Sequence, residues 1–283
     1  AMFGISAEKW VNKKVVTARE KFEDAGIYDL NLATGTQGNG GGKTHNGTYS
    51  YIARLNYNYA EKYMVELMGR RDGNSKFAPG YRFKSFGSVS LGWAFSEEQF
   101  VEFLKPVLSF GKLRLSYGSS GNDVGLGDYD YVSTVSLGTA GFGTIPANQV
   151  SSGFGGLISY DRTWEKVSQK NFGIDLNFFD NRLKATFDYF IKDNTGMLVN
   201  VTYPGVLGGK APKTNSGHLN VKGWEFTIGW RDQIKDFSYY ANFNIGDTKS
   251  LLKEMEGADS YGAGWNAAVN GYPLNSYFLY RTD

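Results

Sequence analysis

The tripeptide Gly42-Lys43-Thr44 carries the closing residues of a loop that cradles phosphate. Such a loop needs a further glycine five positions before its last one and a helix after it, so that backbone N–H groups can close on the anion. Position 37 is Gln, and the residues that follow alternate as a strand does. Gly42–Thr44 is read as flexible surface loop. Asp123, Asp128 and Asp130 bring three hard oxygen ligands into one glycine-rich stretch. Their spacing is not that of a calcium-binding helix–loop–helix, and no Glu closes the set; solvated loop carboxylates are the reading. Only two histidines occur, His45 and His218, and there is no cysteine. A His/Cys metal centre and a Cys nucleophile are therefore excluded. No nucleophile elbow marks a Ser–His–Asp set. The sequence assigns no catalytic residue, no metal ligand and no cofactor. Four aromatics, Tyr203, Tyr261, Trp265 and Tyr272, sit in long polar segments. Aromatics in loops either stack on sugar or peptide ligands or anchor the loop on itself. Anchoring is the preferred reading, and Tyr203, Tyr261 and Trp265 are the candidates for substrate contact.

The elements that must carry these residues are legible from composition and period. The chain has 283 residues, with 30 basic against 28 acidic side chains. No basic cluster stands out, which argues against nucleic acid as a partner. There are 19 Tyr, 20 Phe and 37 Gly but only 6 Pro, a balance suited to long strands joined by glycine-rich loops. No apolar run is long enough for a transmembrane helix. The mildly negative mean hydropathy is compatible with a membrane barrel, whose strands alternate lipid-facing and lumen-facing residues.

Period-2 alternation runs over stretches of membrane-spanning length. Phe172, Ile174, Leu176 and Phe178 alternate with Gly173, Asp175 and Asn177. The tight-turn pair Asp180-Asn181 follows, and then Leu183, Ala185, Phe187, Tyr189 and Ile191 take one face. The same pattern marks residues 51–59, 63–70, 88–93, 112–117, 224–231 and 237–245, giving eight strands. A ninth, near Met2–Val16, is weaker because its alternation breaks. Short turns are expected at Ala60–Lys62, Asp180–Asn181 and Gln233–Lys235. A moderate connection, Ser96–Pro106, has room for a helical turn. Long loops are expected at Gly26–Thr48, Asp72–Arg82, Ser119–Thr163, Asn194–Gly217 and Leu251–Gly271. On an up-and-down path all the short turns fall at one end and all the long loops at the other, as in outer-membrane barrels. Aromatics crowd the strand ends, where the membrane interfaces would lie. The opposite face carries mid-strand charges of both signs, which a wet or plugged lumen accommodates better than the space between packed sheets. A large antiparallel sandwich with one wet face is the competing architecture. The start of the chain shows no signal peptide, and Tyr277–Asp283 reads as the beginning of a strand, so a piece of a longer polypeptide is expected.

Six segments resemble one family. Arg70-Arg71-Asp72-Gly73-Asn74-Ser75-Lys76-Phe77 is similar to its R-x-D-G-S-S-R-F signature. Phe86–Trp93 with Ser96-Glu97-Glu98 resembles F-P-S-x-S-x-G-W…S-E-E, with Gly87 in place of the proline. Leu113–Gly118 with Gly121-Asn122, and Trp164-Glu165-Lys166 with the run to Asp188-Tyr189, match further words in order. So do Asn215-Ser216-Gly217 with Lys222-Gly223-Trp224-Glu225, and Gly271–Tyr277. The chain thus resembles the SusC/RagA type of TonB-dependent outer-membrane transporter. The resemblance implies an all-β fold, an antiparallel up-and-down transmembrane β-barrel segment belonging to a large plugged barrel. It implies that residues 1–283 form part of that barrel, with plug, TonB box and final strands absent. It also implies an outer-membrane location, import of oligosaccharide or peptide oligomers, a SusD-like lipoprotein lid and energising by TonB. A surface β-protein or adhesin that binds without transport, and a soluble carbohydrate-active enzyme, are the competing functions. A plug and TonB box in the full-length sequence would favour the first reading, and hydrolytic turnover the last.

Overall fold

The structure, a computed structural model, describes residues 1–22, 29–142, 147–154, 156–200, 206, 211–255, 260–261, 265 and 268–280. Nine long strands form one antiparallel sheet. They are β1 (Met2–Arg19), β2 (Gln37–Tyr59), β3 (Tyr63–Asn74), β4 (Phe83–Trp93) and β5 (Leu108–Asn122), then β8 (Glu165–Phe178), β9 (Leu183–Asn200), β10 (Lys213–Ile234) and β11 (Phe237–Met255). Each pairs with its sequence neighbours, except that a separate hairpin, β6 (Val135–Phe142) with β7 (Ala147–Phe154), is inserted between β5 and β8. A two-residue pair, β12 (Ser260–Tyr261) with β13 (Ala268–Val269), follows β11. Among the described residues no helix is long and apolar enough to cross a membrane.

The register turns the one-dimensional alternation into continuous rows, because side chains of directly paired residues share a face. One row reads Tyr59–Tyr63–Trp93–Leu113–Ile174–Phe187–Phe226–Ile245 across eight strands without a polar interruption. The adjacent residues on β5 to β11 form the row Lys112–Asp175–Thr186–Thr227–Asn244 on the other face. A slip of one residue would exchange the two faces of a strand and bring polar residues such as Ser90, Arg114 or Glu225 onto the apolar face, so the pattern itself fixes the register. On the apolar face Leu55, Leu67, Leu91, Leu115 and Phe172 all remain exposed; among the described residues no second layer covers them.

The tight turns have the backbone that their residues allow. Ala60 and Glu61 both take left-handed φ, 51° and 57°, with Lys62 N bonded to Tyr59 O at 3.0 Å, the mirror-image turn that suits strand twist. Asp180 and Asn181 do the same at 54° and 65°, with Arg182 N on Phe179 O; Asp and Asn tolerate this region best after glycine. The connection after β4 holds two short 3-10 turns, Phe95–Glu97 and Gln99–Leu104.

The ninth strand expected near Met2–Val16 is present as β1, fully paired with β2 from Met2–Arg54 to Arg19–Gln37. Three expectations need correction. The expected loop Gly26–Thr48 is strand from Gln37 onward, so Gly42-Lys43-Thr44 lies in a ladder opposite Lys14, Lys13 and Asn12. Glycines and small polar residues give no periodic signal there, whereas backbone pairing does not need one. The last turn sits at Lys235–Asp236, with Ile234 still in strand. Tyr277–Tyr280, expected to open a strand, are irregular. The other loops are likewise shorter than expected. β3, β5, β9, β10 and β11 all continue past the alternating stretch.

Candidate functional site

Beyond the alternating stretches, at the long-loop end, the sheet builds its only cluster of buried apolar side chains among the described residues. Phe77, Phe86, Leu126 and Trp164 are its members, each 8% exposed or less, with Leu198 against them. The β4–β5 ladder runs only from Trp93–Leu113 to Ser88–Gly118. Past it, Phe86 and Trp164 close over Gly121, where a Cβ would come within 2.5 Å of the Phe86 ring and 2.8 Å of Trp164. Phe77 and Trp164 rings lie 5.2 Å apart, and Phe86 meets Trp164 edge-on at 6.1 Å.

Polar bonds tie this apolar knot to five segments. Trp164 Nε1 donates to Arg82 O at 2.8 Å, and Lys84 Nζ donates to Trp164 O at 2.8 Å. The buried Glu165 carboxylate accepts from Asn122 Nδ2 at 2.8 Å, Leu198 N at 2.7 Å and Asn194 Nδ2 at 3.4 Å. Asn215 accepts from Thr163 N and donates to Thr163 O and Gly196 O, all at 2.8 Å. Asn74, 3% exposed, donates to Asp123 at 2.6 Å and accepts from Lys76 N at 2.9 Å. A buried carboxylate or amide with each lone pair met is costly to disturb, because removing one partner strands the others. The knot is thus a rigid base from which the long loops rise.

The charged face carries a second arrangement. Arg114 on β5 makes two bonds to Asp175 on β8, at 2.7 and 3.0 Å, and a third to Asp188 on β9 at 3.0 Å. To reach Asp188 the guanidinium crosses β8 at Gly173, where a Cβ would stand 2.6 Å from Asp188 Oδ1 and 2.7 Å from the Arg114 guanidinium carbon. Arg54 pairs with Glu66 on the same face. These groups are about one-third exposed, so the face presents fixed but hydrated charge. The arrangement can line a wet passage or meet a polar plug.

The sequence-derived candidates are placed as follows. Tyr203 lies outside the described residues. Tyr261 is in the two-residue strand β12, paired with Ala268, and its side chain is likewise outside. Trp265 is exposed and stacks on Tyr277 at 5.0 Å with 12° between the rings. Tyr272 meets Phe278 edge-on at 5.1 Å. The three loop aspartates go to different partners: Asp123 to Asn74 and Lys76, Asp128 to Asn46, and Asp130 to Gly127 N and Arg162. Among the described residues no three potential ligands gather as a metal site. His45 bonds to Tyr129 Oη, and His218 to Asp193. The convergence of Asn74, Phe77, Phe86, Asn122, Trp164, Glu165 and Asn215 was not legible from spacing. Each belongs to one of the six family-like segments, and that shared membership was the available signal.

Known proteins share this architecture. The family model for TonB dependent receptor-like β-barrels matches residues 10–279. TonB-dependent receptor P39 of Formosa agariphila is 29% identical over 93% of this chain and 24% of its own length. TonB-dependent receptor SusC of Bacteroides thetaiotaomicron is 28% identical over 84% of this chain and 25% of its own. The chain therefore spans about a quarter of these relatives. Among solved structures, the RagAB peptide transporter superposes with a TM-score of 0.82 at 23% identity, over 96% of this chain and 30% of that one. The motif words, the up-and-down sheet with one apolar and one charged face, and the match over nearly the whole chain lead to one assignment: this chain belongs to the TonB-dependent-receptor-like β-barrel family, a family of outer-membrane proteins.

Proposed function

We propose that this chain is a wall segment of an outer-membrane importer of oligomeric nutrients, glycan or peptide, that works with a SusD-like lipoprotein lid and draws energy through TonB. The observation that carries the reading is the division of one sheet into an uninterrupted apolar row and a charged row, with all tight turns at one end. Lipid covers the first row, and the lumen with its plug meets the second. β1 and β11 each have a strand on one side only in the nine-stranded sheet. Their free N–H and C=O groups cannot be met by hydrocarbon, so neighbouring strands of the complete barrel pair there. The knot sets the base of the loops, and the segments Ser119–Thr163 and Asn194–Gly217 reach from it toward the lid and the substrate.

The test uses the full-length transporter in its native cell. Deleting the tip of either loop is expected to lower lid co-purification or uptake of labelled oligosaccharide or peptide, while the barrel still shows heat-modifiable migration. Unchanged uptake and lid retention after both deletions would refute the placement of the lid. Growth and uptake that persist when TonB is removed would refute the energised-import reading as a whole.

A further inference from the structure

On the apolar face, the residues one step toward the long loops from Phe172, Tyr189 and Trp224 are Lys170, Ile191 and Lys222. Directly opposite Lys222 across the β10–β11 ladder stands Lys249. Three lysines thus share one row over four neighbouring strands, and all three are exposed. Lys222 and Lys249 face each other with no strand between them, a like-charge pairing that disfavours the sheet unless an anion offsets it. Among the described residues none of the three is in an ion pair. Asp193, one row further out, is already bonded to His218 and Asn220 and paired with Lys253. Asp247, one row inward and opposite Trp224, is the acid nearest in register.

The height of the row is informative. About 12 residues separate Lys222 from the turn end of β10 and Lys249 from that of β11, slightly more than the 9–11 that a tilted strand needs to cross the hydrocarbon. Lys222 and Lys249 therefore stand where the outer hydrocarbon edge meets the headgroups; Lys170, about 8 residues above the turn end of β8, lies lower on the wall and reaches that level along its four-carbon stem. Lys222, Lys249, Tyr189, Trp224 and Leu274 line a groove of about 750 Å³. Leu274 is held there by its N–H on Ser250 Oγ at 3.2 Å. Two of the family-like segments, Lys222–Glu225 and Gly271–Tyr277, therefore meet at one groove on the membrane side of the sheet, lined by two lysines and by the carboxylate of Asp247.

We infer that Lys170, Lys222 and Lys249 form a docking site for the phosphate groups of an acylated glycolipid of the outer leaflet, with its acyl and sugar portions against Tyr189, Trp224 and Leu274. This rests on reading the sheet as a membrane wall with its long loops outward. Lysine supplies point charges that suit phosphate without demanding one geometry. A basic residue at an anionic membrane surface is worth about fivefold in affinity.

The experiment takes the full-length transporter in mild detergent and follows lipid binding by native mass spectrometry. The probes are diphosphoryl lipid A, the same lipid after enzymatic dephosphorylation, and phosphatidylglycerol, each with and without millimolar inorganic phosphate. Replacing Lys170, Lys222 and Lys249 together by Gln should weaken diphosphoryl lipid A binding at least about tenfold. The lumen-side triple variant of Lys112, Lys184 and Lys192 should bind as wild type does. Equal binding by the outer triple variant and wild type would overturn the site. So would equal binding of the dephosphorylated lipid or of phosphatidylglycerol, or displacement of the lipid by free phosphate. Heat-modifiable migration of every variant separates these outcomes from a folding defect. A wild type that fails to run as a heat-modifiable barrel at all would instead sink the wall reading beneath this one.

Discussion

The knot and the wall spend the same residue types to opposite ends. In the knot, Trp164, Phe77 and Phe86 are 7%, 1% and 5% exposed, and polar bonds reach them from every side. In the wall, Leu55, Tyr57, Leu91 and Leu115 are half exposed. The knot is a small globular core that this chain completes by itself. The wall is half an interior, and its other half is solvent of a different kind. Truncating a knot side chain leaves a cavity, whereas mobile lipid tails fill a gap in the wall.

That contrast sets the order of expected effects in the full-length protein. Trp164→Ala should be the most damaging, at about 3–5 kcal/mol by denaturant titration, with faster proteolysis of the loops at its base. Trp224→Ala, on the lipid face, should cost clearly less; equal losses would erase the distinction between core and wall. Charge sharpens the contrast within the wall. Phe226→Arg places a cation in the apolar row and should cost on the order of 2–4 kcal/mol, read by heat-modifiability in membranes. Thr227→Arg, on the lumen row, should be tolerated, and similar damage from both would restore the soluble-sandwich architecture. Arg114→Met removes three charge-assisted bonds and leaves Asp175 and Asp188 facing each other. Because the group is about one-third exposed, about 1 kcal/mol is expected after allowance for solvent screening. A double-mutant cycle with Asp175→Asn should show coupling, and additive losses would mean that the fork holds nothing together.

The smallest effect lies at the turn end. There Glu98 accepts from Tyr63 Oη at 2.6 Å and from Trp93 Nε1 at 3.3 Å. The Tyr63 bond first, then that of Trp93, with Lys62 nearby, hold its carboxyl below the usual glutamate range. A carboxyl depressed on folding stabilises the fold above its unfolded pKa, near 4.3, and that contribution fades as pH falls through the folded value. The stability gap between wild type and Glu98→Gln should therefore be present at neutral pH and close under acid. A gap that persists unchanged at low pH would show that the carboxylate charge is irrelevant.

What could be read in advance divides along the same line. The β8–β9 hairpin was legible because lipid and water select residues in strict alternation, and because Asp180-Asn181 marks its own turn. The Gln37–Thr48 half of β2 was not, because glycine and small polar side chains satisfy a ladder without recording which face they occupy. The knot was invisible to any local rule. Its contacts, such as Trp164 with Arg82 or Asn215 with Thr163, join residues tens of positions apart. Of the substrate candidates, Trp265 could be located but Tyr203 could not, and loop composition alone does not say which aromatic meets a ligand.

The row from Tyr59 to Ile245 has one more consequence. At its β2 end it borders the turn, whereas at its β11 end it stands about eight residues above Phe237. Taking the tight turns as level, the row climbs roughly 27 Å while crossing eight strands, a width of roughly 34 Å. That slope is near 40°, within the range of outer-membrane barrels. The strands therefore wind round the barrel as threads do on a screw. A strand that crosses about 25 Å of hydrocarbon moves sideways by about four strand spacings on the way. A pull applied to a turn on the inner side is thus delivered on the outside over a different hairpin, a fraction of a revolution away.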